Sequence, residues 1–185
     1  MVFSAVLDAA VLVPIHLTDL LLRLGEDRVF RPLWSEEILA EVERNIPKAD
    51  PRATPERAAR RVRHMRAAFP EAMVTGHRPL IGGMTNHPKD RHVLAAAVRA
   101  KAGVIVTANV DDFPASACDP FEIDVRHPDD FLLDRLDSCR AGTLRCVDEL
   151  ITDLRRPPRT RGEFLEQFRK TVPCFVDEVL ARPYA

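Results

Sequence analysis

Apolar positions along the chain fall into two kinds of run. Phe3 to Leu7 and Val104 to Thr107 are short, compact and rich in branched residues, and each leads into acids: Asp8 after the first, Asp111-Asp112 after the second. Runs of this length and make-up predict buried strands. Phe121 to Arg126 alternates apolar and polar positions, as an edge strand would. A further short strand is expected at Met73 to Thr75, inside an irregular stretch over 70–87 punctuated by Pro70, Gly76, Pro79 and Gly82-Gly83.

Elsewhere the apolar positions recur every three to four residues. Leu17, Leu20, Leu21 and Leu24 predict a helix closed by Gly25. Ile38, Leu39, Val42 and Ile46 predict another, capped by Ser35, with acids in its first turn and Pro47 as its stop. Ala58, Val62, Met65 and Phe69 mark a helix starting at Pro55, and Arg57, Arg60, Arg61 and His64 share a second face of it. That basic face reads as a charged solvent face first and as a seat for a phosphate backbone second. Val93, Leu94, Ala97 and Val98 form a single arc that also contains Asp90, so this carboxylate is expected to face inward from a first helical turn. Beyond Pro128 a helix starts. Past residue 138 come further helical stripes, broken by Arg155-Arg156-Pro157-Pro158-Arg159.

These elements predict an α/β domain over 1–137 with a central, mainly parallel sheet, and a helical extension over 138–185. In such sheets ligand chemistry collects beyond the carboxyl ends of the strands, where Asp8 and Asp112 fall. Asp8 alone is read equally well as an N-cap. Periodicity does not choose between Glu41 and Glu43 on the second helix, nor between Asp111 and Asp112. Several carboxylates in one cleft cannot all ionise without compensation, and a divalent cation is the simplest remedy. All-oxygen ligation suits Mg²⁺ or Mn²⁺, ions suited to phosphate chemistry.

Composition removes competing classes. The 185 residues carry a formal net charge of −1, so any nucleic-acid binding must come from local patches. The four cysteines have no zinc or disulfide spacing, and the six histidines form no nucleophilic or zinc constellation and read as surface or loop residues. Nothing approaches a membrane span, and no signal sequence precedes Asp8, so a cytoplasmic protein is expected. The glycine-rich phosphate loops and the serine-hydrolase elbow are absent. A phospho-acceptor receiver domain would want a paired acid near Asp8 and a strand-end lysine, which Asp8-Ala9-Ala10 and Thr107-Ala108-Asn109 do not supply.

Val-Leu-Asp at 6–8, Ser35 with Glu41, Asp90-Arg-His-Val-Leu-Ala-Ala-Ala and Thr107-Ala-Asn109-Val-Asp-Asp112-Phe, taken in order, resemble the PIN-domain ribonucleases, and within them the VapC-type toxins of bacterial toxin–antitoxin pairs. The resemblance covers roughly residues 1–131 and implies a three-layer α/β/α fold. It selects Glu41 and Asp112, and implies that Asp8, Glu41, Asp90 and Asp112 hold Mg²⁺ or Mn²⁺ while Thr107 and Asn109 shape the strand-end loop. It also implies metal-assisted hydrolysis of structured RNA such as tRNA, frequent homodimers, and inhibition by a small antitoxin protein. Arg57, Arg60, Arg61 and Lys89 are the candidates for positioning RNA. Ala10 stands where many members carry Asn, and the chain is longer than the compact toxins. Both departures motivate a second reading, a PIN-like module that binds RNA or a protein partner without turnover.

Overall fold

The computed structural model describes residues 2–154 and 159–182. Five strands, β1 (Ser4–Leu7), β2 (Arg31–Ser35), β3 (Met73–Val74), β4 (Val104–Val106) and β5 (Asp124–Arg126), form one sheet in the order β3-β2-β1-β4-β5. All four pairings are parallel. Ala5, Val6 and Leu7 of the central strand are all fully buried, although successive side chains point to opposite faces, so both faces of the sheet are covered. This is the α/β/α architecture expected, with a helical region at the C-terminal end.

The helices between the strands are α1 (Ala9–Leu12), α2 (Ile15–Glu26), α3 (Glu36–Ala49), α4 (Pro55–Ala68), α5 (Arg91–Ala100) and α6 (Ala115–Cys118). The expected cap is in place, the Ser35 hydroxyl accepting from Ile38 N at 3.3 Å, and α4 starts at Pro55 as expected, with Thr54 ahead of it accepting from Arg57 N. The expected apolar stripes of α2, α3 and α4 are buried. β2 was not foreseen from the pattern. Its Pro32 and its single solvent-facing end obscure the run Leu33-Trp34, which is fully enclosed.

Two helix stops differ from expectation. Gly25 lies within the last turn of α2, and a Cβ there would approach Pro32 Cδ and Cγ at 3.0 Å and Phe69 Cε1 at 3.3 Å. It serves close packing of helix on strand rather than termination. Pro47 lies inside α3, which runs on to Ala49; proline removes a donor but the chain past it still closes Asp50 N on Ile46 O at 3.0 Å.

Beyond the sheet, α7 (Pro128–Ser138), α8 (Arg140–Asp153), α9 (Arg161–Phe168) and α10 (Pro173–Ala181) close the fold. Phe131 of α7 packs edge-on against Phe30, ring centres 5.0 Å apart, and α8 is tied to α2 by Arg23 Nη2 on Asp153 Oδ2 at 2.8 Å. The helix break expected over 155–159 lies outside the described residues except for Arg159. All four cysteines are free thiols, and no helix among the described residues is long and apolar enough to cross a membrane.

Candidate metal centre

The chain passes from β1 to β2 and β3 on one side, then returns to β4 on the other. The order of strands therefore reverses between β1 and β4, and a crevice at their carboxyl ends follows from the topology. Leu7 is in register with Val106, so the next residues, Asp8 and Thr107, leave the sheet side by side. Thr107 Oγ1 donates to Asp8 Oδ2 at 2.7 Å. Asp8 also caps α1, its Oδ1 accepting from Ala9 N at 2.6 Å, so the N-cap and cleft readings of this residue describe one geometry.

Asp90 does not sit inside a helix. Pro88–Asp90 forms a 3₁₀ turn, and Asp90 is the N-cap residue of α5 without a capping bond from its side chain. Pro88 explains the difference: its ring pre-sets the turn one step before the helix begins. The carboxylate still faces inward, toward Asp8 and Asp112. Burial and the charges of those two acids push it up to about 6. Burial also pushes the Asp8 carboxyl up, against the pull of the bonds from Thr107 and Ala9 and of the nearby His92.

Asp112 is half-buried on the 3₁₀ turn Val110–Asp112, whereas Asp111 is exposed. Its carbonyl accepts from His87 N at 2.9 Å, which joins the strand-end loop to the turn carrying Asp90. Ligand atoms of His87, Asp90 and Asp112 lie within 4.8 Å of one another. Asp8 and Glu41 stand outside that trio. Glu41 is half-buried on α3 and approaches through His92, its Oε1 3.9 Å from His92 Nε2, while Glu43 is exposed. Asn109 donates its backbone N–H to Thr107 Oγ1 at 3.1 Å, so the threonine hydroxyl links the loop to Asp8.

The histidines correct the expectation of surface residues. His77 and His92 are buried, and His87, although exposed, stands 3.6 Å from Asp90 Oδ2 through its Nδ1. His92 Nδ1 lies 2.9 Å from the Lys89 carbonyl, which can only accept, so that nitrogen carries the proton and Nε2 points toward Glu41. A helical projection places His92 away from Asp90. It fails because Asp90 precedes the helix. In the sequence His87 reads only as a surface or loop residue without an acid at diagnostic spacing, and it is the turn at Pro88 that sets it beside Asp90.

Of the four basic candidates, Lys89 is exposed next to Asp90, and Arg57 and Arg60 are exposed on α4. Arg61 is engaged in the fold. Its guanidinium donates to Leu12 O at 2.9 Å, Val13 O at 3.0 Å and Thr18 Oγ1 at 2.6 Å, and burial lowers it to about 10. These arginines border a cavity of about 1140 Å³ between α2, α3 and α4, whose lining contains none of the four acids.

The donor set fits a divalent cation. Among the described residues, no lysine or arginine pairs with Asp8, Asp90 or Asp112, and the charges of Asp8 and Asp112 raise the proton affinity of Asp90 instead. Oxygen-rich ligation of this kind suits hard divalent ions.

Residues 4–111 match the family described as PIN domain, and residues 128–181 match the family described as VapC50 C-terminal domain. The chain is 45% identical over 104 residues to a Mycobacterium tuberculosis (strain ATCC 25618 / H37Rv) protein named "Putative ribonuclease VapC50". That alignment covers 56% of this chain and 62% of the relative's length. No solved structure matches. With more than half of its length matched by one family, and with the carboxylates gathered at the switch point of a parallel sheet, the chain belongs to the PIN-domain family.

Proposed function

We propose that this chain is a metal-dependent endoribonuclease, the toxin of a toxin–antitoxin pair, cutting phosphodiester bonds in structured RNA with tRNA among the substrates. In this reading residues 1–137 are the catalytic unit and 138–185 a helical extension, and a small antitoxin protein is the inhibitory partner. The observation that carries it is the Asp90 carboxylate, raised by the charges of Asp8 and Asp112, with no lysine or arginine among the described residues paired to any of the three.

Asp8, Asp90, Asp112 and Glu41 would hold Mg²⁺ or Mn²⁺. A cation bound there supplies Lewis-acid chemistry: it offsets charge building on the phosphate and makes water more acidic. The protein's own contribution is placement. Thr107 locks the Asp8 carboxylate, the Asn109 loop positions Asp112, and Glu41 faces the His92 ring at the edge of the cleft. Water attacks phosphorus, the phosphorus–oxygen bond to the leaving ribose oxygen breaks, and that oxygen takes up a proton. Lys89 and the exposed Arg57 and Arg60 are suited to bind the phosphate backbone.

The test is cleavage of a mixed structured-RNA pool by purified, partner-free protein in Mg²⁺, Mn²⁺ and EDTA, with Asp90→Asn in parallel. Cutting that requires metal and disappears in the variant is expected. Cutting that persists in Asp90→Asn would sink the site assignment. Silence in every lane, from folded and metal-bound protein, would favour binding without turnover and make Ala10→Asn the next variant.

A further inference from the structure

The turn that delivers Asp90 also delivers an imidazole. His87 is bound by one backbone group to each acid-bearing segment: its N–H donates to Asp112 O and its carbonyl accepts from Asp90 N, both at 2.9 Å. Pro88 follows it directly, so the backbone that roots the ring is restrained from both sides. The Nδ1 to Asp90 Oδ2 separation of 3.6 Å is too long for a hydrogen bond. It lies within the spacing of two ligands on one ion, which at about 2.0–2.2 Å from the metal are up to about 4.4 Å apart. Asp112 completes the trio. The ring is 44% exposed, so solvent and a cation reach it.

We infer that His87 is a direct nitrogen ligand of the cation held by Asp90 and Asp112, so that the centre is a mixed imidazole–carboxylate site and not an all-oxygen one. This rests on the metal-dependent reading above and deepens it. Carboxylate and water suit Mg²⁺, whereas an imidazole is accepted more readily by transition-metal ions. The site therefore prefers Mn²⁺ to Mg²⁺, and loss of the imidazole removes that preference. His92 is the competing imidazole, but its Nε2 is directed at Glu41, 3.9 Å away.

Mn²⁺ itself is the probe. The full chain is titrated with Mn²⁺ and the free ion followed by electron paramagnetic resonance, with Mg²⁺ as competitor. Pulsed measurements on the bound ion then look for nitrogen hyperfine coupling. The expected result is coupling in the wild type and in His92→Gln, none in His87→Gln, and a loss of about tenfold in Mn²⁺ affinity for His87→Gln with Mg²⁺ affinity changed less than about twofold. Circular dichroism of each variant checks the fold. Tight Mn²⁺ binding without nitrogen coupling, or coupling that survives His87→Gln, overturns the assignment while leaving a carboxylate metal centre in place. Folded wild type that binds no Mn²⁺ overturns both this assignment and the reading beneath it.

Discussion

The Thr107 hydroxyl donates to Asp8 Oδ2 at 2.7 Å and at the same time accepts from Asn109 N at 3.1 Å. Thr107 is fully buried and Asp8 nearly so. One side chain thus satisfies a buried carboxylate and fixes the loop that leads to Asp112, using both the donor and the acceptor of a single hydroxyl.

Thr107→Val keeps the shape and removes both bonds. A destabilisation of about 1–3 kcal/mol is expected, because the carboxylate loses a buried partner. The loss should depend on pH. Asp8 already titrates above its ordinary value of 3.8, so its contribution to stability is present in acid and lost as pH rises. Removing the hydroxyl that favours the ionised form enlarges this loss, so the variant's deficit should be greater at pH 8 than at pH 4. Denaturant unfolding at both values checks it, and Thr107→Ser should recover most of the stability. Equal deficits at the two values would mean that the hydroxyl matters only for packing.

Asp90 makes a related expectation about metal-free protein. Its folded value of about 6 lies above the ordinary 3.8, so stability from this group is complete below 3.8 and is lost as pH rises to 6 and beyond. In EDTA at pH 7.5, Asp90→Asn should therefore be more stable than wild type, by up to about 3 kcal/mol for a shift of about two units. The two proteins should converge near pH 4. Saturating Mn²⁺ should reverse the order, since the ion stabilises only the form that binds it. A variant less stable than wild type in EDTA at pH 7.5 would show that the carboxylates do not repel as described.

Much of this arrangement is legible in the sequence. The β1 and β4 runs, the cap Ser35, the helix start at Pro55 and the inward stance of Asp90 follow from local patterns of three or four residues. What failed depended on contacts distant in sequence. β2 carries Pro32 at its second position, and only its parallel partners β1 and β3 make it a strand. Gly25 looks like a helix stop until Pro32 and Phe69 are brought against it. His92 looks remote from Asp90 on a helical wheel because a wheel does not know that the helix starts at Arg91. Arg61 is indistinguishable in sequence from Arg57 and Arg60. Only the fold gives it carbonyls to hold.

Arg61 has a test of its own. Its fork closes the end of α1, the helix that Asp8 caps, by donating to Leu12 O and Val13 O. Arg61→Ala should cost about 2–3 kcal/mol, and Arg61→Lys should recover only a part because a point charge cannot reproduce the fork. Arg57→Ala and Arg60→Ala should stay within about 0.5 kcal/mol of wild type in thermal unfolding. They should instead weaken RNA binding in a salt-dependent way. Stability losses of similar size at all three positions would contradict the distinction.

The C-terminal helices depend on one acid in a comparable manner. The N-cap residue of α10 is Val172, which has no side-chain acceptor, and the orphaned donors of its first turn are served from α7 instead. Asp129, itself buried, accepts from Cys174 N at 3.0 Å and from Phe175 N at 2.8 Å, across about 45 residues of chain. Phe175 is fully enclosed, so without the acid its N–H has no water to turn to. Asp129→Ala should destabilise the protein by about 1–3 kcal/mol, with Asp129→Asn intermediate because an amide offers one acceptor oxygen. Hydrogen exchange identifies the cause. The amides of Cys174 and Phe175 should lose protection first and those of β1 and β4 should keep theirs, whereas unchanged protection at the two amides would mean that α10 is held by its apolar face alone.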